Sequence, residues 1–245
     1  PVTYVKAYDD IRELYSKTSV SKRNGFKPSH FSFNVDGGRC DNCQGEGETV
    51  IEMQFMADIK LTCEVCNGRR FKKEVLESEY NGKNISDVLD LTVDDAVTFF
   101  QSEKNIVEKL LPLQKVGLGY VKLGQGSNTL SGGEAQRVKL AFYLSKANPF
   151  KEGGVMFIFD EPTTGLHFYD IQKLLTSFNA LIEQGNTVLC IEHNLDVIKC
   201  ADWIIDLGPE AGDAGGSLVF QGPTPQILNI SESITARYLK EKFES

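Results

Sequence analysis

Two short stretches of this chain carry residue types that can bind a nucleoside triphosphate. The first is Leu130-Ser131-Gly132-Gly133-Glu134, where a serine and two glycines precede a run that is typical of a helix. Free backbone N–H groups at a helix start, together with the positive end of the helix dipole, can hold a phosphate. We therefore identify Ser131, Gly132 and Gly133 as candidate nucleotide-binding residues.

The second stretch is an apolar run that ends in two carboxylates. Val155–Phe159 is typical of a buried strand in a parallel sheet, and Asp160 and Glu161 follow it directly. Ligands bind at the carboxyl ends of such strands. We expect Asp160 to hold Mg²⁺ through water, and Glu161 to orient or deprotonate the attacking water.

A histidine follows the next predicted buried strand, Thr187–Ile191. From that position His193 can hydrogen-bond the terminal phosphate, although a single histidine is also compatible with a structural role. His167, in the loop after the carboxylates, is equally well explained as a surface residue.

A phosphate loop of the form Gly-x-x-x-x-Gly-Lys-Ser/Thr does not occur in the sequence, since the one Gly-Lys pair, Gly82-Lys83, is followed by Asn84. The chain also begins with Pro1 rather than Met, which indicates an excised fragment. We therefore expect an incomplete nucleotide site and an isolated chain that is inactive as an ATPase.

Four of the six cysteines form two Cys-x-x-Cys pairs, Cys40/Cys43 and Cys63/Cys66, with 19 residues between them. Such pairs can present four thiolates to one tetrahedral Zn²⁺. Four free buried cysteines would not explain this spacing, and a redox pair would not need a second copy. His30 is a conceivable extra ligand, and a surface or base-contacting role is the alternative. A structural zinc contributes on the order of 10 kcal/mol to folding of a small module.

Cations and aromatic residues alternate around the cysteine pairs, a pattern that suits a phosphate backbone with exposed bases. A solvated charged face is the equal alternative, because acidic residues are interspersed. The residues concerned are Lys22, Arg23, Lys27, Arg39, Arg69, Arg70, Lys72 and Lys73, with Phe26, Phe31, Phe33 and Phe71.

Composition limits the class of protein. A hydrophobic content of 41% supports a packed core, and the formal charge of −8 argues against a globally basic nucleic-acid binder. Residues 1–80 hold 12 basic and 13 acidic side chains, whereas residues 81–245 hold 14 and 21, so the acidity lies in the second part. No apolar run is long enough to span a membrane and no signal peptide is visible, which together with the paired cysteines favours a reducing, cytoplasmic compartment.

Strands that alternate with helices after residue 126 predict an α/β fold with a parallel sheet and flanking helices. We divide the chain into a polar lead-in (1–30), a zinc-binding module (31–80), a helical connection (81–125) and a C-terminal lobe (126–245). The predicted strands are 31–35, 51–55, 155–159, 187–191, 203–207 and 217–220. The predicted helices are a short stretch around 9–15, then 85–115 (broken or kinked at Pro112), 134–145, 169–184 and 194–200.

These motifs resemble those of the ABC ATPases. Leu130–Glu134 is similar to the signature, Phe157–Pro162 to the Walker B strand, Gly165–His167 to the D-loop and His193 to the switch histidine. With a four-cysteine insertion before the signature, the pattern is similar to the UvrA family of the bacterial excinuclease. Further matching stretches are Phe31–Cys40, Gly132–Leu140, Asp160–His167, Ile191–Ile198 and Ala201–Pro209.

The resemblance implies an ABC-type ATPase half-domain that carries an inserted zinc-binding module, and a role in nucleotide excision repair. It implies Zn²⁺ on the four cysteines, and ATP with Mg²⁺ in a longer parent protein. The implied partners are damaged double-stranded DNA, UvrB and a second copy of the parent, without a membrane. Ser131, Gly132 and Gly133 would face nucleotide held by the opposite half, whereas Asp160 and Glu161, with the histidine after the second strand, would serve their own half.

Other classes share parts of the pattern. A zinc-dependent interaction module on an inactive ABC scaffold is the main alternative, and sequence upstream of Pro1 would discriminate it. A transporter ATPase does not explain the cysteine insertion. A DnaJ-like chaperone shares the Cys40–Gly47 motif but not the ATPase half, and an SMC-type ATPase would show long heptads.

Overall fold

We describe the chain from a computed structural model, which covers residues 1–51, 53, 59–145, 154–208 and 215–244. The chain divides into two compact units, Pro1–Pro149 and Phe150–Ser245. The four segments predicted from the sequence are finer than this division, and their boundaries stay predictions.

Within the described ranges, the first unit is mainly helical and contains two small antiparallel hairpins. Its helices are α1 (Ala7–Ser16), α2 (Ser19–Asn24), α3 (Lys73–Leu76), α4 (Ile85–Asp90), α5 (Val93–Phe99), α6 (Lys104–Lys115) and α7 (Gly132–Leu144), with 3₁₀ turns at Pro28–Phe31 and Ser127–Thr129. Its hairpins pair β1 (Glu48–Ile51) with β2 (Ile59–Thr62), and β3 (Glu79–Tyr80) with β4 (Lys83–Asn84).

Helix α6 is central to the core of this unit, because α1, α5 and α7 all pack against it. Ile106, Leu110 and Leu113 are buried along its apolar face at helical spacing. This core therefore supports α7, the helix whose start is formed by the predicted phosphate-binding residues.

The run predicted as helical from 85 to 115 forms three helices, and capping side chains set the starts of the first two. The Asn84 side chain accepts hydrogen bonds from the backbone of α4, and the Thr92 side chain accepts one from Asp95 N–H at the start of α5. Pro112 does not end a helix, since α6 continues through it to Lys115.

The prediction of a strand over residues 31–35 is wrong. Phe31 ends a 3₁₀ turn, and the alternation of Phe31 and Phe33 arises because both rings pack against α1. The ring centroids of Tyr15 and Phe31 are 5.7 Å apart, and those of Tyr8 and Phe33 are 5.1 Å apart. The predicted strand at 51–55 extends into residues outside the described ranges.

In the residues that the structure describes, the second unit contains a parallel strand pair, an antiparallel strand pair and four helices. Its elements are β5 (Met156–Asp160), α8 (Phe168–Glu183), β6 (Thr187–Ile191), α9 (Leu195–Ile198), β7 (Trp203–Gly208), β8 (Ser217–Pro223), α10 (Thr224–Ile227) and α11 (Ile234–Glu244). β5 and β6 are parallel, which confirms the predicted α/β class, whereas β8 returns antiparallel to β7.

Strand β5 is covered on one face. Phe159 is buried, and its ring packs against Phe178 of α8 with centroids 4.8 Å apart. Met156 and Ile158 point to the opposite face and are 61% and 62% exposed. The apolar run predicted a strand buried on both faces, and in the described part of the chain only one face is covered.

The antiparallel pair has its own small core, in which Ile204, Ile227 and Leu239 are buried together. Asp206 connects β7 to the start of α11, because its carboxylate accepts hydrogen bonds from Ser233 Oγ (2.6 Å), just before the helix, and from Thr235 Oγ1 (2.9 Å), in its first turn. Across the described ranges, every helix is too short or too polar to serve as a transmembrane span.

We expect Leu110→Ala to lower the free energy of unfolding of the first unit by about 2–5 kcal/mol, because it leaves a cavity at the centre of the helical core. Urea unfolding followed by circular dichroism would measure the change. Glu108→Ala on the exposed side of α6 is the matched control, and a loss below about 1 kcal/mol for Leu110→Ala would contradict this packing.

Candidate nucleotide and metal sites

The four predicted cysteine ligands form one buried cluster, and all their Sγ atoms lie within 4.8 Å of one another. The Sγ atoms of Cys40 and Cys63 are 3.9 Å apart, and those of Cys43 and Cys66 are 3.6 Å apart. A tetrahedral zinc site with Zn–S bonds of about 2.3 Å separates its sulfurs by about 3.8 Å. The cluster therefore has the size and the donor set that Zn²⁺ requires.

Backbone pairing between the two cysteine loops holds the cluster together. Cys40 N–H donates to Arg70 O at 2.8 Å, and Cys63 N–H donates to Gly47 O at 2.9 Å. Gly45 has a φ of +89°, and a Cβ at this position would lie 2.2 Å from the carbonyl oxygen of Phe33. Only glycine fits there, which accounts for the Cys-x-x-Cys-x-Gly pattern.

Hydrogen bonds to sulfur favour the thiolate form in part of the cluster. The backbone N–H of Cys66 and the side-chain amide of Asn42 lower the pKa of the Cys63 thiol to about 6, whereas burial raises the pKa of Cys66 to about 12. A divalent cation supplies the charge that four neighbouring thiolates need. His30 is not part of the cluster, since its Nδ1 accepts a hydrogen bond from Lys27 N–H at 3.0 Å.

The cations and aromatic residues around the cluster do not form one exposed surface. Phe31 and Phe71 are buried, so they are not available to stack on bases. Lys72 pairs with Asp41 at 2.8 Å, and Arg70 Nη1 donates to the carbonyl oxygen of Gly124. The cations that remain exposed are Lys22, Arg23, Lys27, Arg69 and Lys73.

The predicted phosphate-binding residues lie at the exposed start of α7. Ser131 is the N-cap, and its Oγ accepts the Glu134 N–H at 3.2 Å while the Glu134 carboxylate accepts the Ser131 N–H at 2.7 Å. Tyr120 OH donates to the same carboxylate. Gly132 is exposed and has open space around the position of a Cβ, whereas Gly133 is buried. The helix start is therefore capped and accessible.

The end of β5 brings Glu161 and His193 together. Residues Asp160 and Ile191 are directly opposite each other in the parallel pair, and Glu161 N–H continues the ladder by donating to Ile191 O at 2.9 Å. Glu161 then turns with a φ of +44°, a conformation that non-glycine residues rarely adopt. Its Oε1 lies 3.7 Å from His193 Nδ1, and its Oε2 lies 3.4 Å from Thr164 Oγ1.

Two residues have structural settings that the sequence did not reveal. Glu192 receives hydrogen bonds from both loops around the Glu161–His193 pair, and the only signal for it was an acidic residue directly after an apolar strand. Arg137 is the second such residue, because it is a charged side chain on α7 and yet is only 1% exposed. His167 is the N-cap residue of α8 and makes no side-chain capping bond.

Comparisons with known proteins place this fold among characterised relatives, although no family model matches the chain. The chain is 53% identical over 241 residues to the UvrABC system protein A of Clostridium perfringens and, likewise over 241 residues, 53% identical to that of Aquifex aeolicus. Each match covers 98% of this chain and 25% or 26% of the relative. The crystal structure of UvrA2 from Deinococcus radiodurans matches with a TM-score of 0.88 and 45% identity, over 98% of this chain and 29% of that chain.

The fold and these matches define an ABC-type ATPase domain with a four-cysteine cluster. Within that class, the chain belongs to the UvrA family. It spans about a quarter of the length of the curated relatives that it matches.

We expect Cys63→Ala to release zinc and to unfold residues 31–80, because three thiolates no longer complete a tetrahedral site. Elemental analysis would give the zinc content, and amide hydrogen exchange would show whether the parallel strand pair is spared. Cys200→Ala is the matched control, since Cys200 is exposed and outside the cluster. Unchanged zinc content in Cys63→Ala would refute the ligand assignment.

Proposed function

We propose that this chain is the part of a UvrA-type DNA-damage-recognition ATPase that supplies the catalytic carboxylate, the switch histidine, the signature helix and a zinc module. The observation that carries the ATPase part of this proposal is the approach of Glu161 to His193 at neighbouring strand ends, 3.7 Å apart. The role in nucleotide excision repair is supported by the similarity to UvrABC system protein A over 98% of the chain.

In this proposal Asp160 holds Mg²⁺ through water at the end of β5, and the ion neutralises charge on the phosphates when it is bound. Glu161 accepts a proton from the attacking water or orients that water. His193 Nδ1 faces the Glu161 carboxylate, and the opposite ring nitrogen donates to the terminal phosphate when the imidazole is protonated on that nitrogen. Ser131, Gly132 and Gly133 present their helix start to a nucleotide held by another half-site.

The main phosphate cradle of such a site lies on polypeptide other than this sequence, since no Gly-x-x-x-x-Gly-Lys-Ser/Thr stretch occurs in it. We therefore propose that the 245-residue chain alone does not hydrolyse ATP, and that turnover belongs to the longer protein. The proposed partners of that protein are damaged double-stranded DNA, UvrB and a second copy of itself. The zinc cluster is proposed to position the exposed cations near it toward DNA.

In the longer UvrA-type protein, we expect Glu161→Gln to keep ATP binding and to reduce turnover by about 100-fold or more, because the amide cannot accept the proton from water. Steady-state phosphate release and equilibrium nucleotide binding would separate the two effects. Glu183→Gln at the exposed end of α8 is the matched control. Wild-type turnover in Glu161→Gln, or tight MgATP binding with steady turnover by the 245-residue chain alone, would contradict the proposal.

We further expect the longer protein to bind lesion-containing duplex more tightly than intact duplex, and to lose affinity steeply as salt rises, because cation–phosphate contacts release counterions. Fluorescence anisotropy with matched damaged and undamaged duplexes over a salt series would measure both quantities. Equal affinity for the two duplexes would contradict the damage-recognition role while leaving the ATPase assignment intact.

A further inference from the structure

We propose that Glu192 is a positioning residue that joins the loop after β5 to the loop after β6, and thereby holds Glu161 and His193 in their relative positions. The proposal rests on the proposed function for the roles of that pair. The hydrogen bonds that define Glu192 do not depend on it.

Each carboxylate oxygen of Glu192 serves a different loop. Oε1 accepts hydrogen bonds from the backbone N–H of Thr163 at 3.0 Å and from its Oγ1 at 2.7 Å. Oε2 accepts from the backbone N–H groups of His193 at 3.2 Å and Asn194 at 3.3 Å. Four donors from two loops therefore converge on one side chain.

Only a carboxylate can satisfy this arrangement. It offers two acceptor oxygens with about four lone-pair sites and no donor, and the three surrounding backbone groups can only donate. A glutamine side chain would direct an NH₂ group at one of the two loops, where it meets N–H donors. Glutamine can therefore accept hydrogen bonds from one loop but not from the other. Because it has nearly the same shape as glutamate, Glu192→Gln tests the connection between the two loops.

The two loops carry the proposed catalytic pair. Thr163 follows Glu161 by two residues in a turn that starts at a φ of +44°, so fixing Thr163 stabilises the strained conformation of Glu161. The His193 side chain is 77% exposed, and its position therefore depends on the backbone that Glu192 holds. Thr163 is buried, which shields its bonds to Glu192 from competing water.

In the longer protein, Glu192→Gln is expected to lower kcat for ATP at least tenfold and to leave KM within twofold, because nucleotide contacts remain while the pair loses its alignment. Glu183→Gln, which makes the same charge change at an exposed site, is expected to leave both constants unchanged. Amide exchange at residues 163, 193 and 194 of the 245-residue chain should accelerate at least tenfold in Glu192→Gln, while exchange in β5 and β6 stays unchanged. A global loss of stability would instead accelerate exchange in β5 and β6 as well.

A double-variant cycle separates positioning from stability. If Glu192 acts by holding Glu161 against His193, adding Glu192→Gln to Glu161→Gln will reduce kcat by less than the product of the two single effects, whereas fully multiplied effects would contradict the positioning role. If Glu161→Gln is slow but Glu192→Gln turns over ATP at the wild-type rate, the inference about Glu192 is wrong and the proposed function stands. Glu161→Gln at wild-type turnover would instead overturn the proposed function.

Thr163→Val provides a second variant if Glu192→Gln does not fold. It removes the hydroxyl donor at 2.7 Å and keeps the backbone donor and the side-chain shape. A fall in kcat of about threefold or more at unchanged KM would support the proposal. Wild-type kcat in a folded Thr163→Val protein would contradict it.

Discussion

The parallel pairing of β5 with β6 is the constraint on which the candidate catalytic site depends. Parallel strands end at the same edge, and the pairing of Asp160 with Ile191 brings the residues after both strands to one place. The hydrogen bond from Glu161 N–H to Ile191 O extends this pairing by one residue beyond the regular strand. A one-residue slip would turn every side chain of β5 to the other face and would separate Glu161 from His193.

Sequence patterns were sufficient to predict those elements whose ends are set by neighbouring residues in the chain. The Ser131 cap and the glycines after it defined the start of α7 to within two residues, because a capping side chain acts over three residues. The Cys-x-x-Cys spacing likewise predicted the four-cysteine cluster, since each pair presents its sulfurs from one turn. Both signals are short-range and lie in consecutive residues.

Features that depend on partners distant in sequence were missed. Phe31 and Phe33 alternate as strand residues do, yet they pack against α1, which no local pattern shows. Glu192 is an acidic residue after a strand, and its importance appears only when Thr163, 29 residues earlier, is seen to donate to it. The apolar content of β5 predicted burial, but burial depends on which elements cover each face.

The cap at the start of α7 has a consequence for how a phosphate would be received. The Ser131 oxygen uses a lone pair to accept the Glu134 N–H, and a hydroxyl that accepts can still donate its proton to a second group. The hydrogen bond that caps the helix and a hydrogen bond to a ligand would thus use different parts of the Ser131 hydroxyl, so the two do not compete. Since Gly132 leaves the approach open, an arriving anion would meet a preformed surface, and little conformational entropy would be lost on contact.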